Sequence, residues 1–256
     1  MMLFRSLLCE IKMDLISTLR YKFGTISDIV VYSILLLFFL YSGTGKSYSN
    51  IYGYENYREL FFAGYIAWFF SVSAISSIAQ IVTGELRQGT FYRKLNSRCP
   101  LEVLLFGRFI AALIVEVLVA IIVAVVGIIF GKLNIEIHFE IGIPILICVL
   151  GMYGLGLCIA GAALFYKRVG AITYIIQLLL LFLTDTVSAT DHFINISKGI
   201  PLTICNILIR RQIVGENVVT NLFQLILISI IWLITGIVMF RVFINKAKKE
   251  GNILFY

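Results

Sequence analysis

Long apolar runs alternate with short polar joints along this chain. Six runs stand out, at about 26–41, 60–82, 102–130, 141–165, 169–187 and 220–243. A bilayer-spanning helix needs about 20 mostly apolar residues, so the pattern predicts an all-α integral membrane protein with six transmembrane helices. The third run is longer than a span requires, which predicts a tilted or projecting helix. The fifth is short and ends in Thr184-Asp185-Thr186, which predicts that it stops before crossing cleanly. Ahead of the first run, Phe4, Leu8, Ile11, Leu15 and Leu19 recur at helical spacing, while Arg5, Lys12, Arg20 and Lys22 take the other positions. This predicts an amphipathic helix over 1–22 lying in the membrane interface, followed by one six-span domain over 23–256. Glu10 and Asp14 interrupt the run and no small-residue cleavage site follows, so the segment does not read as a secretory signal.

Composition agrees with the pattern. Of 256 residues, 60% are hydrophobic and 14% charged, with mean hydropathy +0.99; soluble domains carry about 45–50% and ~25%. A net charge of +7 would suit nucleic acid only on a soluble basic face, and the pattern offers none. It reads instead as topology. With the N-terminus in the cytoplasm, 15 basic residues fall inside: Arg5, Lys12, Arg20, Lys22, Arg87, Arg93, Lys94, Arg98, Arg108, Lys167, Arg168, Arg241, Lys246, Lys248 and Lys249. Only six fall outside: Lys46, Arg58, Lys132, Lys198, Arg210 and Arg211. The positive-inside bias therefore predicts both termini in the cytoplasm of a plasma-membrane protein. In the first outer loop, Tyr48, Tyr52, Tyr54 and Tyr57 read as an aromatic belt at the headgroups or, less simply, as a substrate-facing patch.

Several motifs fail on inspection. Gly43-Thr44-Gly45-Lys46-Ser47 resembles the end of a phosphate-binding loop, but Leu40 stands where its first glycine belongs, and no strand precedes it. It reads as a flexible turn. The five cysteines show no paired spacing, and His138 and His192 are the only histidines, so no metal site or disulfide framework is expected. Asp185 and Asp191 could bind a cation, though a solvated outer mouth is the simpler reading. No catalytic residues and no cofactor are expected in this chain.

The informative stretch is the basic loop 84–100. Phe91, Tyr92 and Leu95 place apolar groups on one to two amphipathic helical turns, Gly89 permits a bend, and Pro100 suits the first turn of the next helix. So short a helix has little reason to persist alone, and docking on a partner would stabilise it; the alternative is a positive-inside loop that only fixes topology. Here Glu85, Gly89-Thr90, Leu95, Pro100 and Gly107-Arg108 resemble the motif of ABC-2-type transporter permeases, the membrane subunits of one class of ATP-binding cassette exporters. The chain length, interfacial helix, six spans and internal termini are similar to that family as well. Where family members often carry an acid soon after Gly-Thr, this chain has Phe91-Tyr92 and then Arg93-Lys94.

The resemblance implies two membrane subunits, identical or different, and two ABC ATPase subunits that bind ATP and Mg in trans. It implies a coupling helix around 86–98, with Glu85, Arg87, Gly89, Thr90, Phe91, Arg93, Lys94 and Leu95 at the ATPase interface and Lys167-Arg168 as a second contact. Phe91 and Leu95 would seat the helix, and Arg87, Arg93 and Lys94 would pair with ATPase carboxylates. It further implies that 188–217, with Pro201, Leu202–Ile209 and Arg210-Arg211, folds back as a re-entrant outer segment.

Within the spans, Glu116 is the ionisable group that most needs an explanation. It lies near mid-bilayer, either lining a translocation path or held as a structural acid by Gln177 or a tyrosine. Tyr153, Tyr174 and Gln177 are the other candidate path residues, with Trp68. The small residues of span four (Gly151, Gly154, Gly156, Ala160, Gly161, Ala162, Ala163) permit close helix approach, within the subunit or at a dimer seam. A mostly apolar path suits an amphipathic or hydrophobic cargo, such as an antimicrobial peptide or drug. The rivals are a lipid-linked glycan permease, an ion-coupled secondary transporter and a non-transporting interaction protein; no paired internal repeat of the secondary-transporter kind is visible.

Overall fold

The computed structural model describes residues 2–97, 99–133, 139–166, 169–187 and 197–250. All regular elements there are helical: α1 (Met2–Arg20), α2 (Lys22–Tyr41), α3 (Lys46–Tyr52), α4 (Tyr57–Arg87), α5 (Thr90–Leu95), α6 (Leu101–Gly131), α7 (Gly142–Tyr166), α8 (Gly170–Leu183), α9 (Pro201–Val214) and α10 (Val219–Glu250). Five of them, α2, α4, α6, α7 and α10, are long and apolar enough to cross a membrane. The fifth predicted span does not qualify. Only 14 residues of it are helical, in α8, or about 21 Å against a ~30 Å hydrocarbon core.

The bundle is layered by burial. In their most apolar windows α4 and α7 are 61% buried, whereas α2, α6 and α10 are 17–22% buried. The two inner helices form the core, and the outer three leave most of their apolar surface for lipid. Small residues explain how closely α7 packs on α10 and on α4. A side chain at Gly154 or Gly236 would overlap the other helix's backbone, so α7 and α10 touch main chain to main chain there. At Gly156 a Cβ would lie a tight 3.1 Å from Ala74 O and Ile75 Cα of α4. The glycine stripe of α7 is therefore used within the chain, where close approach supplies dispersion that lipid cannot.

Helix α1 packs across the start of α6, at Gly107, where the main chain of Leu7 lies against the glycine. At the opposite end, α3 folds back between Gly45 and Gly53, both left-handed (φ 91° and 63°). The pattern of α9 is almost wholly inward: Pro201 starts it, and Leu202, Cys205, Asn206, Leu208, Ile209 and Arg210 are all buried. It packs on α4, α7, α10 and α3, and Trp232 Nε1 of α10 donates to Gly199 O just before it (2.7 Å).

Candidate functional site

Helix α5 is set by its two ends. Gly89 caps it in the left-handed region (φ 67°), turning the chain sharply after Arg87, and Thr90 Oγ1 donates to Glu85 O (3.3 Å). The turn points Phe91 inward, 1% exposed in the core, and leaves Tyr92 48% exposed. Arg87, Gln88, Gly89, Arg93 and Asn96 are exposed as well, and Leu95 is half-buried. The outward face thus carries an aromatic ring and two guanidinium groups, while the aromatic expected to seat the helix on a partner is used internally.

Behind α5 lies a network of four charges. Lys94 Nζ stands 2.8 Å from Glu10 Oε1 and 2.9 Å from Glu85 Oε1. Arg108 completes it, with Nε 2.9 Å from Glu10 Oε2 and Nη1 2.8 Å from Glu85 Oε1. The side chains are 3–21% exposed, Glu85 least. Two acids and two bases alternate, so the cluster is neutral and joins α1, α4, α5 and α6 at one point. Burial raises the Glu10 carboxyl, but hydrogen bonds from Lys94 and Arg108 outweigh it and hold it below the ordinary glutamate range. Asp14, one turn on, is raised by burial despite Arg108. Lys94 and Glu85, expected at a partner's surface, are instead committed within the chain. Glu10 and Arg108 as their partners were missed; Glu10 stands off the stripe of Phe4, Leu8, Ile11, Leu15 and Leu19, and local spacing gives no sign of bonds to residues 84 and 98 positions away. Lys167 and Arg168, the expected second contact, lie outside the described residues.

The candidate path residues fall in three places. Tyr174 and Gln177 of α8 do come together, lining a cavity of about 770 Å³ against Ser76, Gln80, Thr83 and Arg87 of α4. The spacing of 76, 80 and 83 is one helical face, a polar stripe legible in the sequence but passed over. Trp68 Nε1 donates to Gln177 O (3.3 Å), pinning α8 to α4 above the cavity. Tyr153 is elsewhere, buried against Phe109 (ring centroids 4.4 Å) and Phe106 (5.9 Å) between α6 and α7. Glu116 is half-buried on α6, its Oε2 enclosed with no hydrogen-bond partner among the described residues.

A second polar centre was misread from sequence. Asp185, read as part of a solvated outer mouth, and Arg210, read as an outer basic residue, are both buried: Arg210 Nη1 meets Asp185 Oδ2 at 2.6 Å, with side chains 0% and 2% exposed. Arg210 Nη2 donates to Asp185 O (2.6 Å) and Nε to Leu60 O (3.3 Å), and its guanidinium lies over the Tyr48 ring (3.9 Å). Tyr48 OH donates in turn to Asp185 O (2.9 Å), its phenol kept protonated because burial pushes it well above the ordinary tyrosine value. Asn206 Nδ2 donates to Thr184 O (2.7 Å) and Thr186 Oγ1 (3.0 Å). Gly64 makes the room, since a Cβ there would lie 2.6 Å from Arg210 Nη2. Tyr48 is thus a core residue and no part of an aromatic belt, and Tyr54 OH turns in to Glu59 (3.0 Å). Asp191 and both histidines lie outside the described residues. Among the described residues, no three His, Cys, Asp or Glu side chains converge as a metal site.

No curated protein matches the chain at a significant level. A family model described as ABC-2 type transporter matches residues 10–198, from the acid of α1 that joins the charge network, through α5 and the α4–α8 cavity, to the approach to α9. With most of its length covered, this multi-pass membrane chain belongs to the ABC-2 type transporter family, as a permease component that is not itself the ATPase.

Proposed function

We propose that the chain is the membrane subunit of an exporter driven by ABC ATPases in trans, with α5 as the helix that receives their motion. The observation that carries this reading is the two-sided character of α5. Tyr92 and Arg93 face outward beside Arg87, while Phe91 is buried and Lys94 binds the helix to α1 and α4, whose Glu10 and Glu85 also hold Arg108 of α6. A push on the outer face is delivered through packed and ion-paired groups to three other helices at once, as rigid-body coupling requires. Arg87 and Arg93 are the groups that would pair with ATPase carboxylates.

On this reading both termini and the α5 end lie in the cytoplasm, following the basic-residue bias, in the plasma membrane. Helices α8 and α9, each about 21 Å long, together make the sixth crossing, with α9 re-entrant; non-helical backbone at that depth is tolerable because protein buries it. A second permease subunit, identical or different, completes the assembly. The α4–α8 cavity is where cargo would first engage. Its mix of Ser76, Gln80, Thr83, Tyr174 and apolar wall suits an amphipathic molecule, such as a peptide antibiotic or drug. A lipid-linked glycan is the second reading, favoured by the same hydroxyl and amide groups.

The test is reconstitution of the chain with its ABC ATPase in inside-out proteoliposomes carrying a fluorescent amphipathic peptide. ATP-dependent uptake that Gln80→Leu with Tyr174→Leu abolishes is expected. Uptake indifferent to ATP would overturn the exporter reading, and uptake indifferent to those substitutions would remove the cavity from the path.

A further inference from the structure

Helix α1 presents its charges and apolar groups the opposite way from a helix resting on a water-facing body. Its acids Glu10 and Asp14 face protein. Leu8, Met13 and Ile16 face outward, 47%, 64% and 56% exposed, with Arg5, Lys12 and Arg20 exposed among them. In water this stripe would be unfavourable. At a bilayer surface it places apolar groups at the acyl boundary and basic side chains along the headgroups.

Beside the stripe, an open pocket of about 510 Å³ lies between α1 and the turn leading into α6. Arg5, Ser6 and Cys9 form one wall, Ser97 and Cys99 the other, and Leu104 the floor. Glu10 also borders it, but Lys94 and Arg108 occupy both of its oxygens, so its charge does not repel an anion. Arg5 has no carboxylate partner among the described residues. Ser97 Oγ is committed to Cys99 O (2.8 Å) and fixes the wall. Ser6 Oγ and Cys99 Sγ lie 3.1 Å apart across the pocket, a contact between a hydroxyl and a thiol that is weak whichever donates.

We propose that this pocket seats the phosphate of an anionic phospholipid, with Arg5 as its charge partner, Ser6 as a donor, and Leu8 and Leu104 against the glycerol and first acyl carbons. A bound lipid ties α1 to Ser97 and Cys99. It therefore stiffens the network through which α5 reaches α4 and α6, making coupling sensitive to lipid charge. The site is independent of the cargo and rests only on α1 lying at the membrane surface. Free phosphate shares the headgroup chemistry but gains nothing from the apolar stripe.

The test uses the full chain in nanodiscs of phosphatidylcholine, of phosphatidylcholine with phosphatidylglycerol, and of phosphatidylcholine with inorganic phosphate in the buffer. Thermal unfolding and lipid retention in native mass spectrometry are the readouts. Phosphatidylglycerol is expected to raise the unfolding temperature and remain bound, and Arg5→Ala with Ser6→Ala to weaken retention about fivefold or more, the scale of one basic side chain at an anionic surface. Arg20→Ala, at the far end of α1 and outside the pocket, is expected to weaken retention clearly less than the Arg5 and Ser6 pair. Equal loss with Arg20→Ala would reduce the effect to diffuse surface attraction and overturn the site. Equal stabilisation by phosphatidylcholine alone, or by inorganic phosphate, would overturn the anionic lipid as occupant. A probe at Met13→Cys, with the other cysteines replaced, reports the surface separately: quenching by nitroxide lipid without phosphatidylglycerol selectivity would sink the pocket alone, and no quenching would sink both.

Discussion

The two charge networks stand at opposite ends of the bundle, and water reaches only one of them. Arg210 and Asp185 are sealed among α3, α4, α8 and α9, with side chains 0% and 2% exposed. Glu10, Glu85, Lys94 and Arg108 use the same chemistry with side chains up to 21% exposed. A sealed pair is hard to break, because each charge loses its partner without gaining water. A network whose outer members, Glu10, Lys94 and Arg108, keep 13–21% of their side chains exposed can exchange partners for water at lower cost than a sealed pair. The difference assigns the ends different roles: the sealed end holds short helices in place, and the wetter end can rearrange when α5 is moved.

The sharpest test of that contrast is Arg210→Met. It leaves Asp185 buried without its guanidinium, at a cost of about 3–5 kcal/mol, and is expected to lower the unfolding temperature in detergent sharply. Adding Asp185→Asn is expected to recover much of the loss. A single variant that unfolds like the wild type would show that the sealed pair holds nothing.

At the other end, Glu85→Gln leaves two cations sharing Glu10, and the expected loss is about 1–3 kcal/mol. Added salt is expected to shrink the gap from wild type, whereas salt leaves the Arg210→Met gap unchanged. Equal salt response at both ends would erase the distinction.

Smaller still in stability, within about 0.5 kcal/mol, is Tyr92→Ala with Arg93→Ala on the outward face of α5. Its expected signature is loss of ATPase co-purification with normal unfolding. Phe91→Asp is expected to lose both, because that ring is in the core.

The finest test is pH. Glu10 has a lowered pKa, so its contribution is complete above the ordinary glutamate range and is lost as pH falls through the lowered value. Asp14 has a raised pKa and protonates first, which relieves its burial and works in the opposite direction. Proteolysis at Arg20 and Lys22 is therefore expected to stay slow from neutral pH until well into acid, and Glu10→Gln to remove the late rise.

What was legible in the sequence follows from where the information lies. Apolar length is a property of consecutive residues, so five spans, the α1–α2 division and the turn at Gly89 could all be read. Thr184-Asp185-Thr186 correctly signalled an early end to α8, but not that Arg210, 25 residues on, would capture it. Tyr48 and Lys94 show the same limit. Each carries a local preference, for headgroups or for a partner's acids, that a distant side chain outbid.

The sequence by itself therefore determined a multi-pass helical membrane protein and the short helix between α4 and α6, because hydropathy, glycine and proline act over a few residues. Only the tertiary structure decided which charges are spent inside and which remain for a partner. Ion pairing in a low-dielectric interior depends on separations of about 3 Å, and such distances exist only once α1, α4, α5 and α6, or α3, α8 and α9, have come together.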